Sequence, residues 1–195
     1  MKKPSLLVAC EYSQRVMSAF LQKGFDSYSC DIIDAEGSYP ERHLKMDARK
    51  AVFLHDWDLV IAHPPCTYLT ATQCCNKGCN PYKDGERYEK MLEARDFFMF
   101  FWLNVKCPLC VENPRPIKLA ALPIETQVVT PTMFGSRFRK RTNLWLRDLP
   151  PLLPIVAEPL NHVSWVTQRR SGKGRSLIDV HFAQAMADQW SPLFL

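Results

Sequence analysis

The sequence has no long apolar run near its start. "MKKPSLLVACEY" carries two lysines, but only about six apolar residues follow before Glu11, too few for a signal-peptide core or a membrane span. A cytoplasmic protein with no membrane partner is the expectation. Internal repeats and low-complexity tracts are also lacking, which leaves no basis for a repeat architecture. Charge of one sign is not strongly in excess either: the formal net charge is +5, compatible with an anionic partner such as nucleic acid and equally common in proteins that never meet one. Without a secretory signal, the eight cysteines read as reduced thiols, metal ligands or a catalytic thiol rather than as disulfides. What is present is a chain of 195 residues, 47% hydrophobic and 23% charged, which suits one globular domain with one sizeable core.

Short apolar runs alternate with helical patterns along the chain. "SLLVAC" reads as a first strand. "RVMSAFLQKG" puts Val16, Met17, Phe20 and Leu21 on one helical face and stops at Gly24. "FDSYSCDII" is a second strand ending near Asp31, "HLKMDA" a third and "WDLVIAH" a fourth. "GERYEKMLEARDFFMFFWLNV" is a long helix, polar early and apolar all round near its end, which predicts deep burial of that end. "PLCVENP" is a fifth strand, followed by "TQVVTPTMFG", "TNLWLRDLPPLLP" and a last helix in "IDVHFAQAMADQW". Such alternation argues for an open, mostly parallel α/β sheet with helices on both faces. Ligands in these folds sit beyond the carboxyl ends of the strands, which here carry Cys10-Glu11, Asp31, Asp47, Pro65-Cys66 and Glu112-Asn113.

A proline pair at a strand end cannot donate backbone hydrogen bonds and stiffens the chain. Pro64-Pro65 would therefore hold Cys66 at a defined place over the sheet edge. A thiol held there can act as a nucleophile if the site removes its proton or favours the thiolate; it can equally be an inert buried cysteine. Glu112 is open to the same two readings, as a functional carboxylate or a solvated one. The run "RFRKR" suits either a solvated face or a loop that contacts phosphate.

Taken together, "HPPCTYLT", "VENP" and "FGSRFRKRTNLWL", in that order and beyond a strand-helix-strand opening, resemble the DNA cytosine-5 methyltransferase family, in particular its short phage-type members. Similarity to the short members runs from "LLVACEYS" through "MADQW"; to the long ones it is confined to motifs. The resemblance implies a Rossmann-like class I methyltransferase fold dependent on S-adenosyl-L-methionine, and methyl transfer to C5 of cytosine through a covalent Cys66 intermediate. Glu112 would bond ring N3 and the exocyclic amine and favour protonation at N3. Asn113 would fix the loop, and Lys140, closest to the family's arginine position, would hold the base or stabilise developing negative charge. In a duplex the base must first be flipped out. The cofactor would lie against Cys10, Glu11, Tyr12, Ser13 and Pro64, with Asp31 receiving the ribose hydroxyls and Asp47 approaching the adenine amine. A phage-infected or bacterial host cell would be the setting.

The chain also departs from that pattern. "CEYSQRV" offers no glycine where the family's first loop is glycine-rich, so Glu11, Tyr12 and Ser13 would bind the cofactor with side chains. For Asp31 a turn aspartate is the competing reading. Only Asp148 to Ile178 stands in place of a target-recognition domain, within a single catalytic domain of residues 1–195. Sequence specificity is then low, supplied by a protein partner, or irrelevant because the substrate is single-stranded DNA or a free cytosine nucleotide. In that insert "TQRRSGKGRS" reads as a phosphate-binding loop or a disordered surface loop. The family's Gln-x-Arg-x-Arg is reduced to a basic run, and "FAQAMADQW" would close the sheet beside the cofactor without the family's Gly-Asn.

Two other functions compete: an amino-methyltransferase, of whose motif "HPPC" keeps only the prolines, and a degenerate relative that binds nucleic acid or a protein without chemistry. Cys74, Cys75, Cys79, Cys107 and Cys110 allow a four-thiolate zinc site to be drawn. Cys110, however, is expected in the core and Pro108 stiffens the Cys107-x-x-Cys110 pair, so no metal is expected. "ATQCCNKGCNPYKDG" reads instead as a loop near the active site, over the base.

Overall fold

The computed structural model describes residues 2–70, 85–156, 163–164 and 177–195. The readings of "ATQCCNKGCNPYKDG" and "TQRRSGKGRS" fall almost wholly outside these residues. The strands are β1 (Ser5–Ala9), β2 (Asp26–Asp31), β3 (His43–Lys45), β4 (Leu59–Ala62), β5 (Leu109–Asn113), β6 (Gln127–Val129), β7 (Phe138–Arg139), β8 (Thr142–Arg147) and β9 (Val163–Ser164). The helices are α1 (Arg15–Gln22), α2 (Ala48–Ala51), α3 (Gly85–Asn104) and α4 (Val180–Trp190).

Seven strands form one sheet in the order β3-β2-β1-β4-β5-β8-β6. The first five are parallel, while β8 runs antiparallel to both β5 and β6. β7 and β9 pair separately. Every residue of β1, β4 and β5 is buried, as expected of central parallel strands covered on both faces.

Alternation along these strands divides the core in two. Leu6 and Val8 of β1, Leu59 and Ile61 of β4, Cys110 of β5 and Leu144 of β8 meet α1 and α4. Leu7, Ala9, Val60, Ala62, Leu109, Val111 and Trp145 meet α2 and α3 on the other face. α1 forms where the periodicity predicts. It ends as Gly24, at φ 98, returns its N–H to Leu21 O at 3.0 Å, a left-handed exit that glycine takes at little cost.

The end of α3 differs from expectation. Phe98 and Phe101 are buried, but Leu103 is 62% exposed. The helix covers one face of the sheet, and among the described residues no second layer lies outside it, so only a stripe of its apolar end is enclosed. α4 packs against α1, with Arg15 donating to Ile178 O at 2.6 Å and the Asp179 carboxylate both capping α4 and accepting from Ser136 Oγ.

Candidate active site at the carboxyl edge of the sheet

Because β1 to β5 are parallel, the residues that follow each of them lie along one edge. β4 ends at Ala62, and the chain passes through His63 and Pro64-Pro65 to Cys66. His63 N still pairs with Ala9 O at 2.9 Å. From the neighbouring strand, Asn113 Nδ2 donates to Pro64 O at 2.7 Å. The proline that has no N–H to give thus has its carbonyl taken by a buried amide from β5, and the segment bearing Cys66 is tied to the sheet. Beyond Cys66 the chain turns, with Leu69 N and Thr70 N returning to Cys66 O.

Glu112 is 5% exposed, and both its oxygens have partners. His63 Nδ1 lies 3.2 Å from Oε2, and Thr142 Oγ1 donates to Oε1. Burial pushes the carboxyl up. Hydrogen bonds from His63 and Thr142, together with positive charge from Lys140, outweigh that and hold it below the ordinary glutamate range. Glu112 is therefore ionised at neutral pH. Burial, and then the Glu112 charge, raise the Cys66 thiol; Lys140 and a backbone N–H pull the other way without cancelling them. At rest the sulfur is a thiol beside a carboxylate, and ionising it needs a proton acceptor. Of the basic run, Lys140 is the side chain whose charge acts on both groups. Its Nζ also donates to Leu177 O at 3.3 Å.

A second group gathers at the ends of β1, β2 and β3. Burial raises Cys10 far above the usual thiol range, helped by the charges of Asp31 and Asp47, which places all three together. Asp31 Oδ1 accepts from Ile32 N at 2.7 Å and from Ile33 N at 3.4 Å. Asp47 caps α2 and holds the Arg49 guanidinium through both oxygens, the shortest contact being 2.6 Å. Glu11 is 3% exposed and accepts from Val16 N at 2.7 Å and Met17 N at 3.1 Å, so it satisfies the first turn of α1. Burial nonetheless raises it, against the lowering influence of His63 and these amides. Ser13 Oγ lies 3.5 Å from Glu11 Oε1. Tyr12 O accepts from Glu36 N at 2.8 Å.

Cys10, Glu11, Tyr12, Ser13, Asp31, Asp47 and Pro64 thus line one stretch of the edge, and Cys66, Glu112, Asn113 and Lys140 the next. The sequence reading missed His63 and Thr142. His63 immediately precedes the proline pair on the strand end, which was the available signal; Thr142 had none. Cys110 is fully buried in the core, and its thiol is raised well above the usual range by burial. Cys74, Cys75 and Cys79 lie outside the described residues.

No protein-family model matches the sequence, and no curated protein matches it. Among solved structures the chain is similar to a protein of an E. coli prophage assigned as a DNA modification methyltransferase, at 13% identity and a TM-score of 0.50, covering 81% of this chain and 53% of that one. A mutant of DNMT2 from Spodoptera frugiperda matches at 13% identity and a TM-score of 0.41, covering 83% and 53%. The chain therefore spans about half the length of either structure. At this identity the likeness concerns the fold. With the sheet order above, the first of these likenesses supports a Rossmann-like α/β fold with a mostly parallel sheet. No helix among the described residues is long and apolar enough to cross a membrane.

Proposed function

We propose that the protein is an S-adenosylmethionine-dependent methyltransferase acting on cytosine C5, with Cys66 as the nucleophile. The observation that carries this reading is the convergence, on one sheet edge, of a thiol held by a tethered proline pair, a buried ionised glutamate and a lysine whose charge acts on both. The likeness to a prophage protein assigned as a DNA modification methyltransferase supports the same reading.

The chain's residues fit the cofactor. The Asp31 carboxylate at the end of β2 suits a ribose diol. The left-handed turn at Cys10, φ 61, bends the first loop without glycine, beside Glu11, Tyr12 and Ser13. Pro64 would complete the wall, with Asp47, whose carboxylate is taken up by Arg49 and the first turn of α2, towards the adenine end. When bound, S-adenosylmethionine supplies the electrophilic methyl group that C5 takes up.

The rest falls to the protein. Cytosine C5 is a poor nucleophile until C6 is saturated. The Cys66 sulfur bonds to C6, its proton passes to the Glu112 carboxylate and on to N3, and the electron pair of the C5–C6 double bond is delocalised over C5 and the N3–C4 amidine. Lys140 offsets the charge of Glu112 and the negative charge that develops on the ring before N3 takes up the proton. After methyl transfer, loss of the C5 proton to a base expels the Cys66 thiolate, and the proton on N3 returns through Glu112. The proposed substrate is cytosine in DNA. Asp148 to Ile178 stands in the place of target recognition, and single-stranded DNA and a free cytosine nucleotide are the variants to compare.

The test is covalent trapping. Wild type and Cys66→Ser are incubated with S-adenosylmethionine and duplex or single-stranded oligonucleotides, or a nucleotide, containing 5-fluorocytosine, and intact mass is recorded. Fluorine blocks the last elimination, so an adduct that requires Cys66 is expected. No adduct with any substrate, despite measured cofactor binding, would replace this reading with an amino-methyltransferase or a protein that binds without chemistry.

A further inference from the structure

Resting on the cytosine C5 reading, we propose that His63 is the positioning residue for Glu112, holding the carboxylate ionised and in the one orientation that leaves an acceptor site free on each oxygen. An ionised carboxylate offers about four acceptor sites, two per oxygen, and donates nothing. Thr142 occupies one site on Oε1 and His63 one on Oε2. Among the described residues this leaves one site on each oxygen, which matches the two donors that protonated cytosine presents side by side, N3–H and the exocyclic amine. Uracil and thymine carry a carbonyl oxygen in place of that amine and would set an acceptor against an acceptor.

The geometry makes His63 more than packing. Its side chain is 8% exposed and that of Glu112 6%, so their 3.2 Å contact is made out of water, where a charge-assisted hydrogen bond is strongest. Nε2 is buried with no hydrogen-bond partner among the described residues. Nothing there competes for the ring proton, and the carboxylate draws it to Nδ1. The titratable neighbours are Glu11 from the β1 loop, which responds to His63, and Glu112 from β5, with Lys140, Cys66 and Cys110 interacting with Glu112 in turn. Two buried carboxylates thus flank one imidazole, one at the foot of the cofactor loop and one at the base site. Removing the ring takes a donor from Glu112 and leaves burial, which favours the protonated acid, less opposed. An acid already protonated cannot take the Cys66 proton.

Trapping rates on the 5-fluorocytosine substrate, measured from pH 5 to pH 9 in wild type, His63→Leu and His63→Asn, test this. Asparagine places an amide N–H near the position of Nδ1. His63→Leu is expected to trap about tenfold more slowly at neutral pH, the worth of one charge-assisted hydrogen bond. Its acid limb should move to higher pH, and His63→Asn should recover most of the rate. An unmoved limb at the wild-type rate, or a loss equal at every pH and not recovered by His63→Asn, would overturn the proposal while leaving the C5 reading intact. A wild type that binds cofactor but never forms an adduct would remove both. If His63→Leu does not fold, the ¹⁵N resonances of His63 in the wild type decide: a proton on Nδ1 above the acid limb is expected, and a ring protonated only on Nε2 refutes the assignment.

Discussion

Asn113 offers a direct measure of how firmly the segment bearing Cys66 is held. Its amide donates to Pro64 O at 2.7 Å from a side chain that is 1% exposed. No other donor to that carbonyl is present among the described residues. Asn113→Ala would leave the backbone pairing of β5 with β8 in place and orphan a buried carbonyl, at a cost of about 1–3 kcal/mol. For a chain of this length each kcal/mol is worth roughly 2–4 °C, so a fall in Tm of about 2–12 °C is expected. Asn113→Asp should cost more: it sets carboxylate oxygens against the Pro64 carbonyl and adds a second buried negative charge next to Glu112. Thermal unfolding followed by circular dichroism measures both, and the trapping assay, run well below Tm, reads the consequence for Cys66. On the mechanism proposed above, trapping should fall at least about tenfold in Asn113→Ala, because slack in the Pro64-Pro65 segment would move the sulfur off its approach to C6. A Tm within about 1 °C of wild type, or the same Tm for the alanine and aspartate variants, would show that the amide does not tie the loop.

Phe98→Ala, which removes a fully buried ring packed edge-on to Trp145 with centroids 4.9 Å apart, should cost about 3–5 kcal/mol in urea denaturation; less than about 1 kcal/mol would mean that α3 is not seated on the sheet there. Because Glu112 titrates below its unfolded value, the stability it adds is complete above the unfolded glutamate range and is lost as pH falls through the lower folded value. The gap in urea midpoint between wild type and Glu112→Gln should therefore narrow on acidification; a gap that stays constant or widens would contradict the assigned direction.

Much of the framework was legible because parallel strands buried on both faces must be continuously apolar, as "LLVA" in β1 and "LVIA" in β4 are. α1 was legible from its 3.6-residue period and Gly24. The strand ends followed, and with them Cys66 and Glu112 as neighbours on one edge. The partners of Glu112 were a different matter. His63 is 49 residues from it in sequence and Thr142 is 30, and no periodicity reports a contact made between strands. The exposure of Leu103 was hidden for a related reason: an apolar helix end says that burial is available, and only the number of layers above it decides how much is taken. Nor does composition show that Asp47 spends its carboxylate on the N-terminus of α2 and on Arg49.

The glycine-free first loop shows how a pattern can change while its backbone path survives. Where a glycine would be expected after β1, Cys10 adopts φ 61, and Gln14, just before α1, adopts φ 57. Each is a left-handed conformation costing a residue with a Cβ about 1–2 kcal/mol, and it persists only if neighbours enforce it. They are visible: Glu11 N bonds to Cys30 O at 2.9 Å, and the Glu11 carboxylate takes the amides of Val16 and Met17. Buried Gln14 donates to Ser29 Oγ and Tyr39 O and accepts from Tyr39 N, pressing the segment after β2 so close that a Cβ on Gly37 would lie 2.5 Å from Gln14 Cβ. The freedom that glycine would bring to the loop is replaced by constraint from side chains, and the glycine reappears at position 37, across the contact. A search for a glycine-rich loop misses this arrangement because the loop is held by the side chains of Glu11 and Gln14. His63, whose influence reaches both Glu11 and Glu112, connects the same constraint to the Glu112 carboxylate.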